Sequence, residues 1–357
     1  MNKKFWKKKK VFITGHTGFK GSWLSLWLQH LGAEVVGYAL KPPTNPNLFE
    51  LACVAKGMKS IIGDILSLED LYTSIKEHRP EIILHLAAQT VVRTSFENPV
   101  ETYSTNVLGT VNLLEAVRKS KKKCAVVIVT SDKCYKNNEW IWGYRENDQL
   151  GGHDPYSNSK ACAELVTAAY RDSFFKNGEL KSKNIGIATV RAGNVIGGGD
   201  WTKDQLIPDL IRAFMANKSC SIRNPAAIRP WQFVLEPLRG YLMLAENLLN
   251  EPDKYSSSWN FGPSEAGAKT VSWIADNISN LWGNKASSKK DERKNPKEDK
   301  YLKLDSSKAR GMLDWHPVLS IDEAIKWVVD WYKAFKEKKN VIDITKTQIK
   351  EYETLIS

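Results

Sequence analysis

The stretch that most limits what this chain can fold into is Val11 to Gly21, VFITGHTGFKG, with SWLSLWLQHL directly behind it. Val11, Phe12 and Ile13 read as a buried strand. Gly15, Gly18 and Gly21 follow at three-residue spacing, and the next ten residues carry helical periodicity. Strand, glycine-rich turn and helix together are what a dinucleotide needs. The glycines let the backbone turn tightly and approach a pyrophosphate, whose charge rests against the helix N-terminus. The spacing is G-x-x-G-x-x-G, not G-x-G-x-x-G, and such turns also end ordinary hairpins, so the flanking elements carry the reading.

Further strands and helices alternate behind this unit. Glu34 to Tyr38, Ser60 to Asp64, Glu81 to Leu86 and Ala125 to Thr130 read as strands, with a helix over Leu66 to Glu77. Pro99 to Lys119 reads as one long helix with Tyr103, Val107, Val111, Leu114 and Val117 on one face. AVVIVT is nearly all apolar, as at the centre of a parallel sheet. The pattern predicts an α/β protein with a doubly wound parallel sheet, a Rossmann-like nucleotide domain over residues 1–193. Beyond Asn194 the chain loosens into Gly-, Pro- and Trp-rich loops. Residues 194–357 are therefore expected to form mainly a smaller substrate-binding lobe, interleaved with late sheet elements. Dinucleotide folds place an acid near the end of the second strand, but here Lys41 stands there, which leaves NAD against NADP open.

A net charge of +12 invites a nucleic-acid reading. Much of it, though, lies in Lys3 to Lys10, Arg118 to Lys123 and Lys285 to Lys300, at an end or on polar connections where basic side chains are simply solvated. Pro296 and its lysines read as a solvated loop. Neither a nucleic-acid partner nor a membrane partner is expected, since no apolar run is long enough to span a bilayer. Five cysteines without a C-x-x-C pair fit free thiols in a cytoplasm, with neither disulfide frame nor metal site.

Two clusters could carry chemistry. Thr130-Ser131-Asp132-Lys133 ends the central strand, where open α/β sheets bind ligands; a hydroxyl, a carboxylate and an amine there could serve a substrate, or could merely cap a turn. Tyr156 and Lys160 share a helix face. An ammonium beside a phenol should draw its pKa down from about 10, making Tyr156 a base for an alcohol proton. The bland alternative is a surface helix pair. Trp140, Trp142, Trp201 and Trp231 could shape a pocket or pack the lobe.

TGHTGFKG, LAAQ, TSDKCY, DPYSNSK and RAGNVIGGGDW together resemble the extended short-chain dehydrogenase/reductases, over about Val11 to Tyr332. Within that family the likeness is strongest to members acting on nucleotide sugars. It implies a tightly held NAD and a redox-neutral dehydration of CDP-glucose to CDP-4-keto-6-deoxyglucose in deoxysugar biosynthesis; another dehydratase, an epimerase or a reductase of the same fold is the alternative. By the same resemblance Tyr156 takes the proton of the sugar 4-hydroxyl as hydride passes to the cofactor. Ser131 polarises the 4-oxygen, Asp132 protonates the departing 6-hydroxyl, and Lys160 holds the nicotinamide ribose. Related dehydratases carry Thr-Asp-Glu where this chain has Ser131-Asp132-Lys133. Lys133 therefore stands where their carbon-5 base does, and either acts as that base or pairs with Asp132. The resemblance assigns Gly15, Thr17, Gly18, Phe19, Lys20 and Gly21 to the cofactor phosphates, Asp64 and Ile65 to adenine, and Ala87 and Ala88 to the ribose. Asn194 and Arg229 are assigned to the substrate diphosphate. A homodimer is implied, through the Pro99–Lys119 and Tyr156–Phe175 helices.

Overall fold

The computed structural model describes residues 1–176, 181, 184–292 and 299–356. Pro296 and its solvated-loop reading lie outside the described residues. Seven parallel strands form the main sheet: β1 (Lys10–Thr14), β2 (Glu34–Ala39), β3 (Lys59–Ile62), β4 (Ile82–His85), β5 (Ala125–Val129), β6 (Gly186–Ala192) and, arriving late, β10 (Ser258–Phe261). Their order is β10-β6-β5-β4-β1-β2-β3, so the winding reverses between β1 and β4. This is the doubly wound, Rossmann-like sheet expected from the sequence. Between β6 and β10 lie β7 (Asn194–Ile196), β8 (Cys220–Ile222) and β9 (Ile228–Phe233). With β11 (Ala268–Thr270) and β12 (Ser288–Lys290) they make two small sheets, β11-β9-β7 and β12-β8.

Alternation along β1 shows why both faces of the main sheet must be covered. Val11 and Ile13 join a core containing Trp23, Trp27, Leu235 and Leu238, while Phe12 joins Tyr38, Leu71, Leu113 and Ile128 on the other side. Local chemistry fixes the helix starts. Ser67 accepts from the Asp70 amide ahead of the Leu68–His78 helix, and Asp154 accepts from the Ser157 amide ahead of Pro155–Tyr170, where Pro155 opens the first turn.

The single long helix expected over Pro99–Lys119 is three segments. Pro99–Tyr103 and Gly109–Ser120 are α-helical, and Ser104–Leu108 between them is a π turn. The extra residue per turn rotates the faces. Leu114 and Val117 are buried as expected, Val107 and Val111 are only half-buried, and Tyr103 is exposed; Thr102, Asn106 and Thr110 face inward instead.

Both chain ends are pinned by contacts that the strand–helix alternation does not announce. Trp6, in the short Lys3–Trp6 helix, is fully buried. From the Val341–Leu355 helix, Glu353 Oε1 accepts from Trp27 Nε1 at 2.9 Å, and Tyr352 donates to Glu236 at 2.8 Å. No helix among the described residues is long and apolar enough to cross a membrane. Cys53, Cys124, Cys134, Cys162 and Cys220 are free thiols, and no group of metal-ligating side chains is found among the described residues.

Candidate active site

The carboxyl ends of β1, β4, β5 and β6 open into one cleft of about 900 Å³, at the place where the strand order reverses. Its first wall is the glycine turn. Gly15 has φ +75°, and a Cβ there would lie 2.6 Å from the Ala87 amide nitrogen, so the turn can approach the end of β4 only without a side chain. A Cβ on Gly21 would meet the Gly15 carbonyl at 2.1 Å. Gly18 caps the Phe19–His30 helix and no side chain accepts from its first turn. Thr17 donates its hydroxyl to the Leu40 carbonyl at 2.9 Å, tying the turn to the end of β2. Ala87 N donates to Thr14 Oγ1 at 3.3 Å, and Ala87 and Ala88 both line the cleft. At the far end lie Lys41, Asp64 and Ile65, with the Asp64 carboxylate accepting from the Leu66 amide at 2.9 Å.

Lys20 belongs to both ends. Its backbone is in the glycine turn, but its ammonium is within electrostatic reach of Asp132, Asp200 and Lys160. Burial lowers it to about 8, against the pull of the two carboxyl groups.

At the reaction end, Ser131 Oγ donates to Asp132 Oδ1 at 3.0 Å and accepts from the Lys133 amide at 3.2 Å. Asp132 Oδ2 is buried with no hydrogen-bond partner. Burial raises the Asp132 carboxyl, opposed by Lys133, by the Ser131 hydrogen bond and by Arg229 and Lys20. The Tyr156 phenol lies beside the Ser131 hydroxyl, which favours its ionised form. One turn on, Lys160 Nζ donates to the Val129 carbonyl at 3.3 Å.

The expected lowering of Tyr156 by Lys160 is not what the protein shows. Burial pushes the phenol above its ordinary value, and Asp132, Asp154 and Cys134 add to that; only the Ser131 hydrogen bond opposes them. Burial also lowers Lys160 itself to about 8, helped by the charge of Lys20. Burial disfavours the charged form of each group, which raises a phenol and lowers an ammonium.

Beneath this turn is a network that motif reading does not pick out. Glu164 accepts from Thr130 Oγ1 at 2.5 Å, from Thr189 Oγ1 at 2.6 Å and from two nitrogens of Arg191 at 2.8 Å. Burial would raise this carboxyl, yet the Arg191 pairing and the hydroxyls hold it below its ordinary value. Arg191 also donates to the Tyr135 hydroxyl at 2.5 Å, which donates to Asn260 at 2.8 Å. The sequence signal was present: Glu164 lies four residues after Lys160, a charge on a helix face that must be buried.

Asn194 and Arg229 line the side formed by β7 and β9. Arg229 is buried, donating to the Ile228 carbonyl at 2.9 Å and to the Asp299 carbonyl at 2.6 Å. Of the four tryptophans considered, only Trp231 lines the cleft. Trp140 stacks on Tyr144, Trp201 packs on Tyr332 and Phe335, and Trp142 is largely exposed.

A family model described as GDP-mannose 4,6 dehydratase matches residues 12–328. The chain belongs to that family. The CDP-glucose 4,6-dehydratase of Salmonella typhimurium is 54% identical over 352 residues, covering 99% of this chain and 98% of its own length. Among solved structures, dTDP-glucose 4,6-dehydratase from Bacillus anthracis in complex with NAD superposes with a TM-score of 0.75 at 22% identity, covering 94% of this chain and 99% of its own. MoeE5 in complex with UDP-glucose and NAD gives 0.77 at 23% identity, covering 91% and 99%. These two likenesses establish the shared architecture of this dehydratase family member.

Proposed function

We propose that this protein converts CDP-glucose to CDP-4-keto-6-deoxyglucose and water, in deoxysugar biosynthesis, with NAD as resident cofactor. The observation that carries the reading is Asp132, a buried acid with one unpartnered oxygen, on the same turn as the serine beside the Tyr156 phenol. A simple epimerase has no leaving group to protonate and no use for such an acid. The Salmonella typhimurium relative supports the choice of nucleotide.

The glycine turn fits a dinucleotide, because the missing side chains at Gly15 and Gly21 let the turn fold tightly against the end of β4 and the start of the next helix, the backbone form that receives a pyrophosphate. Gly15, Thr17, Gly18, Phe19 and Gly21, with the backbone of Lys20, would hold its phosphates. Asp64 and Ile65 would hold its adenine, Ala87 and Ala88 would lie along its ribose, and Lys160 would hold the nicotinamide ribose. When bound, NAD supplies a hydride acceptor that later gives the hydride back.

Tyr156 takes the proton of the sugar 4-hydroxyl, and the Ser131 hydroxyl steadies the 4-oxygen. The resulting 4-ketone acidifies the hydrogen on carbon 5. Asp132, whose carboxyl burial raises, protonates the departing 6-hydroxyl. Lys133 lines the cleft beside this acid and is our candidate carbon-5 base. Asn194 and Arg229 hold the diphosphate, so residues 194–357 mainly serve the substrate and residues 1–193 the cofactor.

We also place the protein in the cytoplasm, where its free thiols stay reduced, and as a homodimer. Val100 and Tyr103 on the Pro99–Tyr103 helix, Leu108 on the π turn after it and Leu165 on the Pro155–Tyr170 helix are exposed apolar side chains suited to a helical contact between two copies. The deciding experiment incubates the protein with CDP-glucose and reads the alkali-induced absorbance of a 4-keto-6-deoxy sugar, with dTDP- and GDP-sugars as controls. Product from CDP-glucose supports the reading; product only from another nucleotide sugar, or none, overturns it.

A further inference from the structure

Asp132 and Lys133 share one short 3₁₀ turn, Asp132–Cys134, which follows β5. Such a turn has poor hydrogen-bond geometry of its own: the Cys134 amide donates to the Ser131 carbonyl at 3.2 Å and the Tyr135 amide to the Asp132 carbonyl at 3.4 Å. Firmer support comes from the residues on either side. Before the turn, Thr130 Oγ1 donates to Glu164 at 2.5 Å and the Thr130 amide to the Val190 carbonyl at 2.9 Å. After it, the Tyr135 hydroxyl accepts from Arg191 Nη1 at 2.5 Å and donates to Asn260 Oδ1 at 2.8 Å. Glu164 and Arg191 are themselves paired at 2.8 Å. One buried ion pair therefore grips both ends of the reacting turn.

The Tyr135 end is tightly specified. Asn260 Nδ2 donates to the Tyr144 carbonyl at 2.8 Å and to the Asp305 carbonyl at 3.0 Å, which leaves Oδ1 to face the phenol. The Tyr135 ring stacks on Tyr144 with centroids 5.0 Å apart, and the Arg191 guanidinium lies 4.7 Å from its centroid. Burial raises the phenol, so it stays protonated and its hydrogen is engaged by Asn260. Although Tyr135 lines the cleft, its hydroxyl has no proton free for a substrate. The Pro155–Tyr170 helix has separate anchors: the Asp154 cap at its start, and the Ser159 hydroxyl, which accepts from Asn106 Nδ2 at 2.9 Å.

We propose that Tyr135 is a positioning residue for the dehydration half of the reaction: its hydroxyl, clamped by Arg191 and Asn260, holds the Asp132–Lys133 end of the turn, while Tyr156 and Lys160 are placed by their helix. The inference rests on the dehydratase reading and deepens it. Acid and base must meet the sugar at hydrogen-bond distance, and a misplacement of about 1 Å costs up to about 10²-fold. Ser131 lies at the other end, next to Thr130, and keeps the support of β6 and Glu164. Without the Tyr135 clamp, loss of the 6-hydroxyl slows, while removal of the 4-hydroxyl proton by Tyr156 continues.

The test is Tyr135→Phe in the full-length protein, with Tyr352→Phe as control; the control removes a buried phenol's bond to Glu236, outside the cleft lining. Amide hydrogen exchange read by mass spectrometry should quicken about 10-fold or more over residues 130–136 and stay unchanged over residues 155–170. With CDP-glucose, dehydration should slow about 10- to 100-fold at nearly unchanged KM, and a 4-keto sugar still bearing its 6-hydroxyl should accumulate. Tyr352→Phe should show neither change. Arg191→Lys, a point charge in place of a fork, should free the Tyr135 end in the same way and serves if Tyr135→Phe folds poorly. Unchanged exchange at the turn, or exchange raised equally along the helix, overturns the inference. So does an unaltered ratio of the two 4-keto sugars in a variant whose turn exchanges faster. If wild type makes no dehydrated sugar, faster exchange confined to the turn keeps the clamp and removes the dehydratase. Dehydration by wild type with an unchanged turn in the variant does the reverse.

Discussion

Ser131 donates its hydroxyl to Asp132 Oδ1 at 3.0 Å, which leaves the other oxygen of that buried carboxyl with no hydrogen-bond partner. Burial raises a carboxyl so placed, and in its acid form it can give a proton to a leaving oxygen. Asp132→Asn should therefore slow dehydration by about 10²- to 10⁴-fold and accumulate a 4-keto sugar that still bears its 6-hydroxyl. Mass spectrometry of the quenched nucleotide sugar reads this directly. In wild type the dehydration rate should fall as pH rises through the raised Asp132 value, because only the protonated carboxyl is useful. Unchanged dehydration in the variant would remove Asp132 as the acid.

Tyr156 lies beside Ser131 and is raised by burial, so its base strength when ionised is high. Tyr156→Phe should cost about 10²- to 10⁴-fold in turnover while leaving NAD binding, followed by protein fluorescence, close to wild type. A variant with wild-type turnover would show that another group takes the 4-hydroxyl proton.

How far the residues speak for themselves differs across the molecule. The glycine turn was legible because its chemistry is local: a left-handed backbone at Gly15 and a close approach at Gly21 leave glycine as the residue that fits. The doubly wound parallel sheet followed from the alternation of strand and helix patterns. Residues far apart in the chain that were read as one site, such as Asp132, Tyr156 and Arg229, do line one cleft, because Asp132 follows the end of β5, Tyr156 opens the Pro155–Tyr170 helix and Arg229 sits on β9. Three things were not legible. A π turn at Ser104–Leu108 rotated a helix face, and no propensity marks a π turn. The sign of the Tyr156 shift depended on how dry the cleft is, which periodicity does not report. The pairing of Glu164 with Arg191, and of Asp204 with Arg223, joins segments whose proximity is set only by tertiary packing.

The Arg191–Glu164 pair is almost wholly buried and ties β5, β6 and the Pro155–Tyr170 helix together under the reacting turn. Removing one partner leaves an uncompensated charge, so Glu164→Gln should destabilise the fold by about 3–5 kcal/mol in denaturant unfolding. Since Thr130 and Lys160 sit on the segments this pair holds, the loss should also appear as lower kcat with little change in KM. Stability equal to wild type would mean the guanidinium finds water or another acceptor there.

Gly15→Ala tests the cofactor cradle. The left-handed backbone alone costs about 1–2 kcal/mol with a side chain present, and the added methyl would press on the Ala87 amide. The expected outcome is a folded, less stable protein that no longer binds NAD detectably by calorimetry. Retained affinity would put the pyrophosphate elsewhere.

Acid should weaken the fold through two histidines that flank the cofactor turn. Burial lowers His16 to about 4 and His85 to about 3. His85 lies between Thr14 Oγ1 at 2.7 Å and Thr110 Oγ1 at 3.4 Å, with Lys160 adding to the shift. Both rings are neutral in the fold, whereas in the unfolded chain they take up protons below their ordinary value of 6.5. Between that value and the folded ones the unfolded state binds more protons, so stability is full above about pH 6.5 and is lost as pH falls. By pH 5 each histidine should have cost about 2 kcal/mol. Urea unfolding at pH 7 and pH 5 measures the sum. His85→Gln, though less stable at neutral pH, should show about half the wild-type loss across that interval; the same loss in the variant would mean that His85 is already protonated, or solvated, in the native protein.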